Sequence, residues 1–328
     1  MNLRHIIGFR RALLLCLCLL AGINASAHDF VVDGIGYIIN SYSGDEVSVA
    51  GLSGNVVYSG SVVIPESVTV SYDEHYMKTY RVTGIWSDAF NNCSGLTSVT
   101  IPNSVTRIES WAFRYCTGLT SITIPDGVTY IGHNAFAYCS NLSTISIPES
   151  VTRVGMGAFA GTAWENSQPD GLMYIGKVAY IYKGDMPENT HIEIKEGTVR
   201  IEDYAFYVNS RANLTSVTIP ESVTSIGIDA FNGCSGLTSI AVPDKVNCIG
   251  FDAFYGTAWY DSQPNGLVYA GKVVYDYKGD MPLFTHMEIE QGTLGIADGA
   301  FSSCSGMTSV TIPNSVTIIG REAFSGCI

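Results

Sequence analysis

Apolar and polar residues alternate along this chain in short phrases that return again and again. In the clearest phrase, Leu119, Ile122 and Ile124 are spaced L-x-x-I-x-I, and Pro125 follows at once. Residues two apart share one face of an extended strand, so Ile122 and Ile124 point one way while Ser121 and Thr123 point the other. Proline has no N–H to give to a strand ladder and ends the strand there. Val128 and Ile131 then turn the chain inward, Gly132 permits a tight bend, and Ala135-Phe136 plug the end of the phrase. The pattern predicts a short strand, a turn, a second inward segment and an aromatic plug.

The plug sets the period. Ala-Phe recurs with Phe at 90, 113, 136, 159, 206, 231, 254, 301 and 324, at gaps of 23, 23, 23, 47, 25, 23, 47 and 23 residues. A unit of this size cannot bury its apolar face alone, but stacked units can, with parallel strands about 4.8 Å apart. The period lies in the range of leucine-rich repeats. Nine marked coils, plus one hidden in each gap of 47, make about eleven. A longer repeat overlays the short one: GTAWENSQPDGLMYIGKVAYIYKGDMP at 161–187 aligns without a gap with GTAWYDSQPNGLVYAGKVVYDYKGDMP at 256–282. Each insert reads as a β-hairpin, turning at Ile175-Gly176-Lys177 and at Ala270-Gly271-Lys272.

Residues 28–61 lack the repeat but alternate apolar positions, and read as an N-terminal β cap on a solenoid spanning 62–328. Such a cap covers core and strand edges that a bare end would expose. The loop from Ser71 to Thr83 is longer than its counterparts. The last copy ends at Cys327-Ile328, where Gly-Leu-Thr-Ser would continue the pattern, so the expectation is a truncated end. Residues 1–27 read as a secretory signal peptide. Arg4, Arg10 and Arg11 form its positive region, Ala12 to Gly22 is apolar but too short to span a bilayer, and Ala25-Ser26-Ala27 supplies a cleavage site. The expected location is extracellular or on the cell surface.

Composition narrows the function. Charged residues are only 14% of the chain, and the net charge of −13 becomes −16 without the three leader arginines. No basic stripe is present, which excludes nucleic-acid binding, and no segment after the leader approaches the roughly 20 apolar residues a membrane span requires, so none is expected in the mature chain. The phrases L-T-S-V-T-I-P, S-V-T-x-I-G and A-F-x-x-C-S-G-L, with the G-T-A-W insert, resemble the BspA-like leucine-rich-repeat surface proteins of bacteria, in their Bacteroides-type form. The resemblance covers Leu96 to Ile328 closely and Asp29 to Phe90 more loosely. It implies a β-rich solenoid, a right-handed leucine-rich-repeat superhelix of ~23-residue coils. It also implies recognition or adhesion, with extracellular-matrix proteins among the plausible ligands, and no catalysis.

The candidate binding residues lie on two features. Strand positions facing away from the core carry Ser98 and Thr100, Ser121 and Thr123, Thr144 and Ser146, and Ser216 and Thr218; Ser239/Ala241 and Ser309/Thr311 continue the series. They form either a hydroxyl-rich surface for a protein or glycan or simply a solvated strand face. The inserts carry Trp164, Tyr180 and Tyr182, and Trp259, Tyr275 and Tyr277. These rings either make two equivalent raised contacts or roof the enlarged coils. His191/Glu193 and His286/Glu288 interrupt the hydroxyl pattern and read as pairwise His-Glu contacts. Seven cysteines follow the leader, six of them three residues after a repeat Phe, and read as a buried ladder of free thiols. No catalytic, metal or dinucleotide motif is found, so neither an enzyme nor a cofactor is expected. The function expected is a surface recognition module, the alternative a passive structural spacer.

Overall fold

The structure, a computed structural model, describes residues 28–40, 44–53 and 56–327; the expected leader and cleavage site lie outside the described residues. It is a β-solenoid whose coils repeat about every 23 residues, and the chain divides into two compact units. Met1–Val151 with Gly155–Gln168 forms one, and Thr152–Val154 with Pro169–Ile328 the other.

The first unit begins with antiparallel strands Phe30–Val32, Ile35–Ile39 and Glu46–Ala50. Glu46–Ala50 then pairs in parallel with Met77–Ile85, and the coils follow: Arg107–Ile108 on that strand, Tyr130–Ile131 on the next. The expected long loop at 71–83 is instead largely a hairpin, Ser67–Ser71 against Met77–Ile85. Alternation in Val68-Thr69-Val70 and in Tyr80-Arg81-Val82 drives that pairing. Tyr72 N donates to Tyr76 O at 2.9 Å and His75 N to the Asp73 carboxylate at 2.8 Å to close the turn. On the other edge of the coils, Gly60–Val63 pairs with Leu96–Thr100 and Ser121–Thr123 with Thr144–Ser146, all in parallel.

The core is an aromatic ladder. Phe90, Phe113, Phe136 and Phe159 are fully buried. Their rings stack at 4.8, 5.0 and 5.4 Å between centroids with interplanar angles of 2–4°. The spacing is close to the strand separation, because each ring rides on a coil stacked by backbone hydrogen bonds. Phe90, Phe113 and Phe136 each send their N–H to an alanine carbonyl of the following coil, Ala112, Ala135 and Ala158, at 2.7 Å. Coils approach so closely that a Cβ on Gly132 would lie 2.4 Å from Ser110 N. The thiols join the ladder: Cys116 donates to Phe90 O at 3.1 Å and Cys139 to Phe113 O at 2.9 Å. All seven described cysteines are free.

Each plug of the first unit is flanked on both sides by left-handed backbone. Two residues before the Phe, Asp88, Trp111, Asn134 and Gly157 have φ of 59°, 59°, 53° and 68°; two residues after it, Asn92, Tyr115, Tyr138 and Gly161 have 61°, 60°, 61° and 72°. The pair of reversals turns the chain sharply so that the ring enters the core.

The second unit repeats the scheme around its inserts. Gly171–Ile175 pairs antiparallel with Val178–Lys183, turning at Gly176 and Lys177, and the later hairpin is Gly266–Ala270 with Val273–Lys278. The returning strand of each hairpin is a solenoid strand. Val178–Lys183 pairs in parallel with Arg200–Ile201, which is followed by Ser225–Ile226 and Cys248–Ile249; Val273–Lys278 pairs with Gly295–Ile296, followed by Ile318–Ile319. Phe206, Phe231 and Phe254 stack at 4.9 and 5.6 Å, and Phe301 on Phe324 at 5.1 Å. Beside them Arg200, 13% exposed at its side chain, is clamped by Glu202 at 3.0 Å and Asp203 at 2.9 Å. Glu202 also accepts the Val154 amide at 3.1 Å.

Candidate functional site

The strand hydroxyls stand in register. Thr144 lies opposite Ser121 and Ser146 opposite Thr123; Ser98 lies opposite Ser61 and donates to its hydroxyl at 2.8 Å. Ser98, Thr100, Ser121, Thr123, Thr144, Ser146 and Thr218 are exposed, and Ser216 is half-buried. Ser239 and Ala241 are exposed but lie in no strand. The result in the first unit is a set of columns of short, stiff hydroxyls with little rotamer freedom to lose on binding.

In the second unit the histidines organise the face. His191 Nδ1 is 2.7 Å from the Ser216 hydroxyl and its Nε2 is 3.4 Å from Thr218; His286 repeats this with Ser309 at 2.7 Å and Thr311 at 3.2 Å. The expected His-Glu contact is therefore replaced by a histidine spanning two hydroxyls of the next coil. Strand alternation explains it. His191 pairs with Ser216 across the ladder and Glu193 with Thr218, so the imidazole lies over its cross-strand neighbour and reaches the next residue of that column.

Of the two readings of the insert aromatics, the buried tyrosines fit the one in which the rings roof the enlarged coils. Tyr180, Tyr182 and Tyr275 are only 3%, 7% and 5% exposed, so they are core residues and cannot form a raised contact. The reason lies in the hidden coil. Tyr182 N donates to Ala205 O at 2.7 Å and Tyr277 N to Ala300 O at 2.9 Å, as Phe206 N does to Ala230 O at 3.0 Å. Tyr182 and Tyr277 thus stand where a normal coil has its Phe, and the Tyr182 ring lies 6.5 Å from Phe206. Tyr277 is half-buried.

Trp164 and Trp259, also half-buried, end the aromatic runs. They sit in short helices, α1 (Ala163–Ser167) and α2 (Ala258–Asp261), capped by the hydroxyls of Thr162 and Thr257, which accept Glu165 N at 3.0 Å and Tyr260 N at 3.1 Å. The same hydroxyls donate to Phe159 O and Phe254 O at 2.8 Å, and each indole lies 5.2 Å from the ring of that Phe. The GTAW motif is thus a device for closing the core over the last ring before each hairpin.

A surface feature not anticipated from the sequence lies on the plug side of the first unit. Trp111, Tyr115 and Tyr138 are 40%, 36% and 47% exposed although their backbone is left-handed. Tyr115 and Tyr138 stack at 5.0 Å, with the Arg114 guanidinium 4.7 Å from the Tyr115 ring. The spacing of 23 between Tyr115 and Tyr138 was the only sequence signal.

Among the described residues no group of three or more His, Cys, Asp or Glu is placed to hold a metal ion, and no helix is long and apolar enough to cross a membrane. A leucine-rich-repeat solenoid is characteristically a non-catalytic binding scaffold.

The family profile described as BspA type leucine rich repeat region matches in six copies, over residues 78–184, 199–264 and 273–328. No curated protein matches the chain. Among solved structures, a leucine-rich repeat protein from Bacteroides ovatus ATCC 8483 is similar at 26% identity, over 92% of this chain and 80% of that one, with a TM-score of 0.40. A leucine rich cell surface protein from Faecalibacterium prausnitzii A2-165 is also 26% identical, over 91% of this chain and 80% of that one, with a TM-score of 0.40.

Proposed function

The chain belongs to the BspA-type leucine-rich-repeat family, and from that premise we propose that it is an exported recognition and adhesion module that binds a surface protein or glycan through its hydroxyl-lined strands. The observation that carries the reading is the register of exposed hydroxyls across two strand pairs, Ser61 with Ser98, and Ser121 and Thr123 with Thr144 and Ser146. A rigid β-face of this kind presents repeated donors and acceptors at strand spacing and loses little entropy when a partner docks. The net charge of −13 disfavours anionic partners. Export rests on the leader, with Arg4, Arg10 and Arg11 ahead of the apolar run from Ala12 to Gly22.

The test is retention on the immobilised chain of partners from a panel of matrix proteins, mucins and cell-wall glycans, repeated with Thr100, Thr123 and Thr144 each changed to Lys. The expected result is one retained partner whose binding falls with each substitution while the fold is unchanged. Retention of nothing, or retention indifferent to all three substitutions, would leave the face a passive spacer.

A further inference from the structure

The strand Gly60–Val63 has a neighbour on one edge only. It pairs in parallel with Leu96–Thr100 and, among the described residues, with no other strand. Gly60 N donates to Gly95 O at 2.8 Å and Ile64 N to Thr100 O at 3.0 Å. Backbone direction alternates along a strand, so Val62 and Ile64 turn their N–H and C=O toward the next coil while Ser61 and Val63 turn theirs away from it. In later coils that second direction is occupied. The carbonyls of Thr100, Ser146, Thr218 and Thr311 accept the amides of Ile64, Ile124, Ile194 and Ile289 from the preceding coil at 3.0–3.1 Å. Val63 stands at the same position of the phrase, in register with Thr100, and no strand among the described residues lies on that side of it.

A cavity of about 660 Å3 runs along this free edge. Ser61, Val62 and Val63 line it and no residue of Leu96–Thr100 does, so it lies on the unpaired side. Its other walls are the turn from Val32 to Ile35 in the cap and the start of the hairpin from Ser67 to Thr69, and the buried Ile35, Val62 and Val68 make it apolar. The edge also departs from the other coils in sequence. Where they carry Thr100, Thr123, Ser146, Thr218 and Thr311, this strand carries Val63, 65% exposed. Edge strands are commonly blunted by charged side chains, and Gly60–Val63 has none. Among the described residues that line the cavity, Asp33 alone is charged.

These features select one kind of occupant. Free backbone groups two residues apart, about 6.6 Å along the strand, match the main chain of another extended segment. An apolar cavity beneath them takes every second side chain of that segment, and Asp33 favours a basic residue beside it. A glycan offers hydroxyls to the edge but no side chains to fill the cavity. A second copy of this chain, at a net charge of −13, brings acid to acid. We propose that Gly60–Val63 takes up an extended peptide of another protein as one more parallel strand, with apolar side chains in the cavity and a basic residue near Asp33. The peptide's amides reach Ser61 O and Val63 O as Ile64 N reaches Thr100 O. Main-chain bonds then supply affinity and the alternate side chains specificity. The proposal rests on the free edge and not on the hydroxyl columns, so either reading stands without the other.

The experiment is calorimetry and residue-resolved hydrogen exchange on the full chain. The probe is a synthetic peptide of the repeat phrase GLTSVTIP, the sequence of residues 95–102, with a lysine added at each end. A second peptide carries glutamates at the ends. Two more carry backbone N-methyl groups, one on the valine and isoleucine whose amides face the edge, the other on the serine and second threonine whose amides face away. On the protein side, Val63→Pro removes an N–H that points outward, which an edge strand tolerates. The expected result is saturable binding of the lysine peptide with slowed exchange of the Ser61 and Val63 amides. Methylation of the valine and isoleucine, or Val63→Pro at an unchanged melting temperature, should weaken binding about tenfold or more, and methylation of the serine and threonine less than about threefold. The glutamate peptide should bind about two- to fivefold more weakly. The assignment is overturned if the lysine peptide does not bind, if the two methylated peptides bind alike, if the glutamate peptide binds as tightly, if folded Val63→Pro binds like the parent chain, or if the Ser61 and Val63 amides exchange unchanged in the complex.

Discussion

Removing one ring from the middle of the aromatic ladder should cost far more than removing one at its end. Phe136 is fully buried and stacks on both sides, against Phe113 at 5.0 Å and Phe159 at 5.4 Å. Phe136→Ala removes the transfer energy of a buried ring and leaves a cavity, together about 3–5 kcal/mol. The lost stacking geometry adds about 0.5–1.5 kcal/mol for each of the two neighbours, so the expected loss is about 4–8 kcal/mol. Phe324 is only half-buried and has a single stacking partner, Phe301, at 5.1 Å; Phe324→Ala should cost about half as much or less. Urea unfolding followed by circular dichroism, with residue-level hydrogen exchange to separate local from global opening, measures both losses. A double-mutant cycle sharpens the test. Phe113→Leu and Phe136→Leu should couple by about 0.5–1.5 kcal/mol, whereas Phe90→Leu and Phe136→Leu, two coils apart, should add within about 0.5 kcal/mol. A loss under about 2 kcal/mol for Phe136→Ala, or equal coupling for both pairs, would refute the ladder as the source of stability.

Further outcomes follow from individual contacts. Arg200→Met strands the nearly buried Glu202 and should destabilise the chain by about 3–5 kcal/mol in equilibrium unfolding. Burial, partly offset by Arg211, raises the Cys234 thiol from its ordinary 9.0 to about 12. The folded chain therefore keeps a proton that the unfolded chain releases, and this contribution is intact below pH 9 and is lost as pH rises toward about 12. Cys234→Ala should flatten the alkaline limb of the stability curve, and iodoacetamide should leave Cys234 unmodified at pH 8 until denaturant is added. Trp111 holds a φ of 59° with its side chain 40% exposed. Trp111→Gly should accordingly be more stable than Trp111→Ala by about 1 kcal/mol in thermal unfolding.

The repeat and its aromatic axis were legible because a buried Phe every 23 residues has no meaning outside a stack. The hairpins were equally plain, since Gly176 and Gly271 interrupt two runs of alternating residues. What the sequence concealed depended on position in space. Tyr182 and Tyr277 resemble contact aromatics until the hidden coil puts them in the place of Phe. The left-handed residues beside each plug were masked wherever Trp111, Tyr115, Tyr138 or Tyr204 replaces the Gly, Asn or Asp that usually signals such backbone. The histidine bridges were hidden because the partner of His191 is set by cross-strand register, which places Ser216 opposite it and its hydroxyl 2.7 Å from Nδ1.

Residue-resolved hydrogen exchange under native conditions tests the stacking of coils most directly. The amides of Phe90, Phe113, Phe136, Phe206, Phe231 and Phe301 all donate to the alanine carbonyl of a following coil at 2.7–3.0 Å. They should form a recurring set of slowly exchanging sites, with Phe113 and Phe136 among the slowest. Exchange of Phe113 and Phe136 at the rate of exposed turn amides such as Asp73 would contradict the stacked architecture on which every functional statement rests.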